Sequence, residues 1–394
     1  MARELAITAY LFAFRIFFNI CKWFPQKKKT VAVASFGDNI AFTLSSLQNL
    51  SNEEIYILKD SSCRYNFDGL KATVIPFDIK HPISYLKSIY HLATAKTILL
   101  DTYQGFLAST NFRKGTTCVQ LWHAGGALKR FGLEDPTNEV RSNRALKRFK
   151  SVYSRFDYSV VGSEKMADSF KESFGLADEQ IIRTGIPRSD LLFDQDRRDR
   201  VYNNIKKQFP SIRDRKIILY TPTFRNDALD KYDLELDLHR MYQELSDDYV
   251  LFIKLHPAVS AGLKYDLYED FVYDFSNYKD TNELLLITDL LISDYSSIPF
   301  EYATLERPMI FFAYDLEEYK ITSGLIDHYE DVVPGPVVSS TNEIIRVIQS
   351  DAFDYEKIRS FKQTYSEYSQ GHSSDDLVLF LTGTEEQASE KVSV

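Results

Sequence analysis

The sequence predicts an α/β protein built on parallel sheets in two successive halves, with an amphipathic helix ahead of them. Three observations predict it. Short β-branched or apolar runs alternate with helical patterns, as expected of parallel strands covered on both faces. The alternation restarts after a polar, charged stretch at residues 197–215. In the second half, three of the runs end in polar side chains, and ligands of such sheets bind beyond the carboxyl ends of the strands. A length of 394 residues suits about two to three domains, and 44% hydrophobic with 26% charged residues describes a well-packed soluble body.

The expected segments are a helix with a basic linker at 1–29, a first half at 30–195, a second half at 196–350, and C-terminal helices with a polar tail at 351–394. Residues 5–24 (LAITAYLFAFRIFFNICKWF) are strongly apolar. On a helix, Glu4, Thr8, Arg15, Asn19 and Lys22 fall within an arc of about 60° at ~100° per residue. Lys27, Lys28 and Lys29 follow directly. A narrow polar stripe, a broad apolar face and a lysine cluster suit a helix lying in the membrane interface through residues 4–29. A spanning helix would place Arg15 near mid-bilayer. A cleaved signal peptide would carry Arg15 inside its apolar region. A helix buried in the globular body is the remaining reading.

In the first half, strands are expected at 30–35, 54–59, 73–77, 96–100, 117–121 and 157–162, with helices at 40–50 and 83–95. The strand at 117–121 runs into Trp122-His123-Ala124-Gly125-Gly126-Ala127-Leu128-Lys129. A histidine at a strand end is placed for general-base chemistry near neutral pH, although a lone histidine is more often structural. Gly125 and Gly126 let backbone approach a ligand closely. Residues 141–155 hold six basic side chains, Arg144 and Arg148 among them, and no acidic one. That run reads as a solvated helix face, or as a surface for an anionic substrate or the membrane.

In the second half, the strand at 216–220 leads to Thr223 and Arg225, and the one at 249–255 carries Lys254 and ends at His256. A third, at 286–292, leads to Asp294, Ser296, Ser297 and Glu301, and 309–313 follows. If the first three are parallel neighbours, these groups converge on one sheet edge. Arg225, Lys254 and His256 beside a helix capped by Ser296-Ser297 would make a pyrophosphate site. An ordinary capped helix is the other reading of that stretch. No P-loop lysine or glycine is present. The tail, TGTEEQASEKVSV, is expected to fray.

Cys21, Cys63 and Cys118 form no CxxC pair, which suggests a reducing compartment and no zinc site. A net charge of −9 argues against nucleic acid as the main partner. No acidic cluster resembles a metal cage, so no cofactor is expected; Mg2+ assistance is compatible with the sequence but not indicated by it.

The motifs at 122–129, 220–225 (YTPTFR), 254–257 (KLHP) and 293–297 (SDYSS) resemble, in order and rough spacing, those of the CDP-glycerol glycerophosphotransferases of Gram-positive teichoic acid synthesis. The resemblance covers about residues 30–369. It implies a GT-B-like pair of Rossmann-type domains with parallel sheets facing a cleft, and peripheral (monotopic) attachment to the cytoplasmic face of the cell membrane. Family polymerases typically carry Trp-His-Gly-Thr-Pro-Leu-Lys at the first motif. Here Ala124-Gly125-Gly126-Ala127 stands in place of Gly-Thr-Pro, and with FGL at 131–133 the motif looks more like the primases.

A primase moves sn-glycerol 3-phosphate from CDP-glycerol to a ManNAc-GlcNAc disaccharide on undecaprenyl diphosphate and releases CMP. Carried over to this chain, the resemblance makes His123 and His256 catalytic, His123 as base. His256, Ser296 and Ser297 would contact the CDP-glycerol pyrophosphate, supported by Thr223, Arg225 and Lys254. Asp294 would orient His256 or its loop, and Glu301 would hold ribose or glycerol hydroxyls. Gly125, Gly126, Lys129, Arg144 and Arg148 would meet the acceptor or its lipid diphosphate. The alternatives are a glycerol- or ribitol-phosphate polymerase, a GT-B nucleotide-sugar glycosyltransferase, and a membrane-bound glycolipid-binding protein.

Overall fold

Two parallel sheets organise the chain in the computed structural model, which describes residues 2–126, 130–212, 214–223, 234–255, 266–323, 325–326 and 328–390. The chain divides into two compact units. Unit 1 comprises Met1–His123, Phe131–Asp190 and Tyr368–Val394, and unit 2 comprises Ala124–Arg130 and Leu191–Glu367.

The strands of unit 1 are β1 (Lys27–Ala34), β2 (Glu54–Lys59), β3 (Thr73–Pro76), β4 (Ala95–Leu100), β5 (Thr117–Gln120), β6 (Tyr158–Val160) and β7 (Ile181–Ile182). Their order is β3-β2-β1-β4-β5-β6-β7. The strand order reverses between β1 and β4, which pair in parallel from Thr30↔Thr97 to Val33↔Leu100. Helices α1 (Ala2–Cys21), α2 (Asp38–Leu50), α3 (Pro82–Thr94), α4 (Asn143–Tyr153) and α5 (Glu164–Phe174) belong to this unit. Buried apolar side chains lie on both faces of the sheet, with Val31, Val33 and Ile98 in one cluster and Ala32, Ala34 and Leu99 in another. Alternate residues of one strand serve opposite faces, so a doubly covered strand is apolar throughout.

In unit 2 the strands are β8 (Lys216–Tyr220), β9 (Tyr249–Ile253), β10 (Val272–Asp274), β11 (Leu290–Ser293), β12 (Met309–Phe312) and β13 (Val337–Val338), ordered β10-β9-β8-β11-β12-β13. The three strands that carry polar termini, β8, β9 and β11, are therefore neighbours, and the order reverses between β8 and β11. The helices here are α6 (Gln195–Gln208), α7 (Leu238–Leu245), α8 (Thr281–Ile287), α9 (Ile298–Tyr302), α10 (Leu316–Ser323), α11 (Tyr329–Val332), α12 (Thr341–Ser350) and α13 (Tyr355–Tyr365). The strand expected at 286–292 is shorter, because Leu286 and Ile287 complete the last turn of α8. Both patterns bury a continuous apolar run, so periodicity alone does not separate them.

The N-terminal helix is neither isolated nor fully buried. Phe14 and Phe18 are 2% and 0% exposed in the core of unit 1. Phe14 stacks on Phe106 at 5.2 Å, and Phe18 meets Phe112 edge-on at 5.7 Å. Glu4 pairs with both terminal nitrogens of Arg148 at 2.6 and 3.0 Å, and the Lys22 ammonium donates to the Asn111 carbonyl at 2.8 Å. The other side of α1 exposes Leu5, Phe12, Ile16 and Ile20. The helix thus has two apolar faces, one docked and one outward. A span would require Phe14 and Phe18 to leave the core.

The C-terminus also returns to unit 1. Helix α14 (Ser373–Glu390) packs on α2, and Ser46 donates to the Asp375 carboxylate. Asp190 accepts the Ser373 and Ser374 backbone N–H groups at 2.8 Å each, which caps the helix start. The units therefore change over near 190 and 367 rather than at the expected 195 and 350. The tail expected to fray continues α14 as far as Glu390.

Phe18→Ala should destabilise unit 1 by about 3–5 kcal/mol, since a fully buried ring leaves a cavity. Urea denaturation of the full chain checks this, and Phe12→Ala, on the outward face, should change stability little.

Candidate active site

In unit 1 the crevice at the strand-order reversal is closed from within. Asp101, at the end of β4, is 1% exposed. Its carboxylate accepts the backbone N–H groups of Ser35 at 3.0 Å, Phe36 at 2.9 Å and Gly37 at 2.7 Å, all in the turn from β1 into α2. In many Rossmann units such amides bind a phosphate; here an internal carboxylate takes them. Gly37 sits at φ 104°, and a Cβ there would lie 2.4 Å from Tyr65 Cβ, so the turn requires glycine. Burial raises the Asp101 pKa, against the pull of the three amides.

His123 is built on this frame. Its ring stacks on Phe36 at 4.2 Å with the planes 4° apart. Its Nδ1 lies 3.2 Å from the Asp101 carbonyl oxygen. A carbonyl only accepts, so Nδ1 carries the proton and Nε2 is the basic atom. Burial lowers the His123 pKa to about 4; the Asp101 carbonyl opposes that shift and the charge of Arg188 adds to it. The preceding Trp122 adopts φ 59°, a left-handed conformation costly for a bulky residue. Its ring packs on Phe131 at 5.0 Å, and Asn39 Nδ2 donates to its carbonyl at 2.9 Å. Asn39 Oδ1 accepts from the Arg188 backbone N–H at 3.0 Å, and the Arg188 guanidinium lies 3.8 Å from Asp38.

Unit 2 repeats the device at its own reversal point. Asp294, 2% exposed beyond β11, accepts the Thr223 N–H at 2.9 and 3.0 Å and also the Thr223 hydroxyl. Thr223 follows β8, so the carboxylate ties together the two strands where their order reverses. Tyr329 OH donates to the Asp294 carbonyl at 2.9 Å. Tyr295 stacks on Tyr319 at 3.8 Å, and its hydroxyl donates to Asp315 at 3.0 Å. A chain of hydroxyls runs beneath, from Thr221 to Ser293 at 3.2 Å and from Ser293 to Ser296 at 2.9 Å.

Thr223, Asp294, Ser296 and Ser297 are thus brought to one sheet edge. Other expected site residues have other partners. The Lys254 ammonium donates to the carbonyls of Ser276 at 2.8 Å and Tyr278 at 2.7 Å, so it fastens the segment after β10; burial lowers its pKa. Glu301 is buried and accepts the Gly125 N–H at 2.9 Å. A Cβ on Gly126 would lie 2.6 Å from the Phe300 ring. Gly125 and Gly126 therefore let the chain pack on α9. The expected helix cap is also weaker than the sequence suggests. Ser297 makes no side-chain cap bond, and α9 has five residues. Of its first amides, Ile298 donates to Ser296 Oγ at 3.4 Å and Phe300 to the Ser297 carbonyl at 3.1 Å, while Pro299 has no N–H; its macrodipole is also small. Arg148 is paired with Glu4, whereas Arg144 lies on the exposed side of α4. Lys129, Arg225 and His256 lie outside the described residues. Among the described residues no group of three or more His, Cys, Asp or Glu side chains gathers as a metal site.

Asp101, Asn39 and Arg188 were not identified from sequence. Asp101 directly follows a strand, the position that marked Asp294, so the same rule applied to the first half would have found it. Nothing local marks Asn39 or Arg188, which meet through the fold.

The model of the CDP-glycerol:poly(glycerophosphate) glycerophosphotransferase family matches residues 17–382. A teichoic acid glycerol-phosphate primase of Bacillus subtilis is 35% identical over 383 residues, 96% of this chain and 98% of the relative. A teichoic acid poly(ribitol-phosphate) polymerase of Bacillus spizizenii is 34% identical over 406 residues, 99% of this chain but 62% of the relative. Among solved structures, the wall teichoic acid polymerase TagF superposes with a TM-score of 0.79 at 24% identity, covering 98% of this chain and 99% of that one. The last likeness concerns the fold, which is GT-B-like α/β.

Gly126→Ala should cost unit 2 about 1–3 kcal/mol, because the added methyl meets a ring held by Phe361 and Tyr365. Gly125→Ala, whose nearest neighbour would be the Glu301 Oε1 atom at 3.3 Å, should cost less; thermal melts of both variants check the order. In a pH titration by NMR, His123 should remain the neutral Nδ1–H tautomer down to about pH 4. The unfolded chain takes up this proton near pH 6.5, so stability should fall as pH drops from 6.5 towards 4 and be unaffected by this group above 6.5. His123→Gln should flatten that part of the pH–stability curve.

Proposed function

Because the chain belongs to the CDP-glycerol:poly(glycerophosphate) glycerophosphotransferase family, an enzyme family, we propose that it catalyses the priming step of teichoic acid synthesis. In this reading it transfers sn-glycerol 3-phosphate from CDP-glycerol to a ManNAc-GlcNAc disaccharide on undecaprenyl diphosphate. Two teichoic acid glycerol-phosphate primases, 35% and 32% identical over 96% and 97% of this chain, support one unit added rather than many.

His123 carries the mechanistic reading. Its Nδ1–H is committed to the Asp101 carbonyl, so Nε2 takes the proton of the attacking sugar hydroxyl. The oxygen forms a new bond to the phosphorus that bears glycerol. The bond from that phosphorus to the bridging oxygen breaks, and CMP leaves with the electron pair. Negative charge spreads over the phosphoryl oxygens, so fixed donors supply most of the stabilisation. The hydroxyls of Ser296 and Ser297 are such donors in unit 2, with Arg225 and His256 assigned to the same role by motif. Asp294 and Lys254 act indirectly, by fixing the loops after β8 and β10.

The outward face of α1, with Leu5, Phe12, Ile16 and Ile20, is the membrane-binding element in this reading. It attaches the protein peripherally to the cytoplasmic surface, where a lipid-linked acceptor resides.

The decisive measurement is CMP release from CDP-glycerol with the lipid-linked disaccharide, together with the product mass. One added glycerol phosphate is expected. A ladder of additions would make the protein a polymerase, and no CMP release would remove the reading. In a folded protein, His123→Ala should lower the rate by about 10²–10⁴-fold, the usual contribution of a positioned base.

A further inference from the structure

A groove of about 950 Å³ runs in unit 1 beside α1, between that helix and the start of α4. None of its lining residues belongs to the donor-binding set. Ile7, Tyr10 and Leu11 of α1 face Ala145 and Phe149 of α4 across it, so its walls are largely apolar. Val140, 89% exposed, stands at its edge.

The charge around this apolar space has one sign in excess. Arg3, Arg141 and Arg148 line the groove, against Glu4. Glu4 is held by Arg148 at 2.6 Å. The Arg141 guanidinium lies 4.9 Å above the Phe149 ring and 3.5 Å from Asp135. Arg144, one turn before Arg148 on α4, adds positive charge close enough to lower the Glu4 pKa after Arg148 itself. A channel with apolar walls and an arginine rim matches a long apolar chain that ends in an anionic head.

The position of the groove selects the kind of chain. Tyr10 and Phe17, seven residues apart, fall on one edge of α1, adjoining its outward apolar face. Tyr10 lines the groove, and Phe17 is exposed. The groove therefore adjoins the face assigned to the membrane.

We propose that this groove binds the polyisoprenyl chain of a lipid diphosphate, with the diphosphate at the Arg3–Arg141 rim. It is the seat of the lipid part of the acceptor, and to that extent it rests on the reading of the acceptor as lipid-linked. The basic run at 141–155 then holds a lipid head, besides solvating the surface of α4.

The test is equilibrium binding of undecaprenyl diphosphate to the full chain in detergent, with dioleoylphosphatidylglycerol and inorganic pyrophosphate as separate probes. Undecaprenyl diphosphate should bind more tightly than either. Ala145→Trp, which fills the groove, should weaken it by about tenfold or more, equivalent to about 1.4 kcal/mol. Val140→Glu, at an exposed position that leaves the fold intact, should weaken it in the same direction, while vesicle pelleting of both variants stays unchanged. Unaltered binding in Val140→Glu and in a folded Ala145→Trp would overturn the proposal. Equal affinity for phosphatidylglycerol would make the groove a bilayer-lipid site, and equal affinity for pyrophosphate a mere cation patch; either result also overturns it. The CMP assay separates this proposal from the reaction: binding retained without CMP release would sink the priming reading and leave the groove standing.

Discussion

A buried carboxylate that bridges the point of strand-order reversal is the interaction on which both units depend. Asp101 and Asp294 occupy corresponding places, each beyond the strand that pairs with the first strand of its sheet. Asp101 accepts three N–H groups from the loop after that first strand, and Asp294 accepts the N–H and the hydroxyl of Thr223. Parallel strands leave these loops without a turn partner, and buried amides must be satisfied. A carboxylate does so with several charge-assisted bonds at once. It also decides what the crevice can bind. In unit 1 the amides that would receive a phosphate are already occupied, and the space is given to His123. In unit 2 the carboxylate holds Thr223, and the hydroxyls of Ser296 and Ser297 stand at the same sheet edge.

Burial has opposite consequences for the two kinds of group it encloses. It raises the pKa of Asp101 and lowers that of His123. The neutral imidazole suits a base that must accept a proton, but a pKa of about 4 is low for one working near neutrality. If His123 is the base proposed above, an anionic substrate beside the ring would shift it back upwards, because opposite charge favours the protonated form. Base strength would then be greatest with substrate bound.

Strand ends were the most legible feature of the sequence. Thr223, Asp294, Ser296 and Ser297 were expected at one edge because polar residues ended three apolar runs, and the neighbouring positions of β8, β9 and β11 bring them there. The role of each side chain was less legible. Lys254 and Glu301 have the chemistry of ligand contacts, yet their partners are carbonyls and an amide of the protein itself. Those partners lie far off in sequence, and no local pattern encodes which polar group a buried side chain will satisfy. The glycines after His123 show the same limit. Sequence marks them as places of close approach, but not that the approach is to Phe300.

The N-terminal helix shows why one hydrophobic pattern can support two readings. Its narrow polar arc was read as one border of a single broad apolar face. In the structure that face is two: Phe14 and Phe18 point into the core, while Phe12, Ile16 and Ile20 point away. A helix apolar nearly all round is ordinarily buried or spans a bilayer. This one is fixed to the body by Glu4–Arg148 and Lys22–Asn111 near its two ends. Those contacts hold its outward face at a defined angle to unit 1. The exposed apolar residues are then part of a rigid surface rather than a tethered anchor. Docking to a bilayer through such a surface would orient unit 1 as well as attach it, and the groove beside α1 would face the lipid whenever the protein is bound.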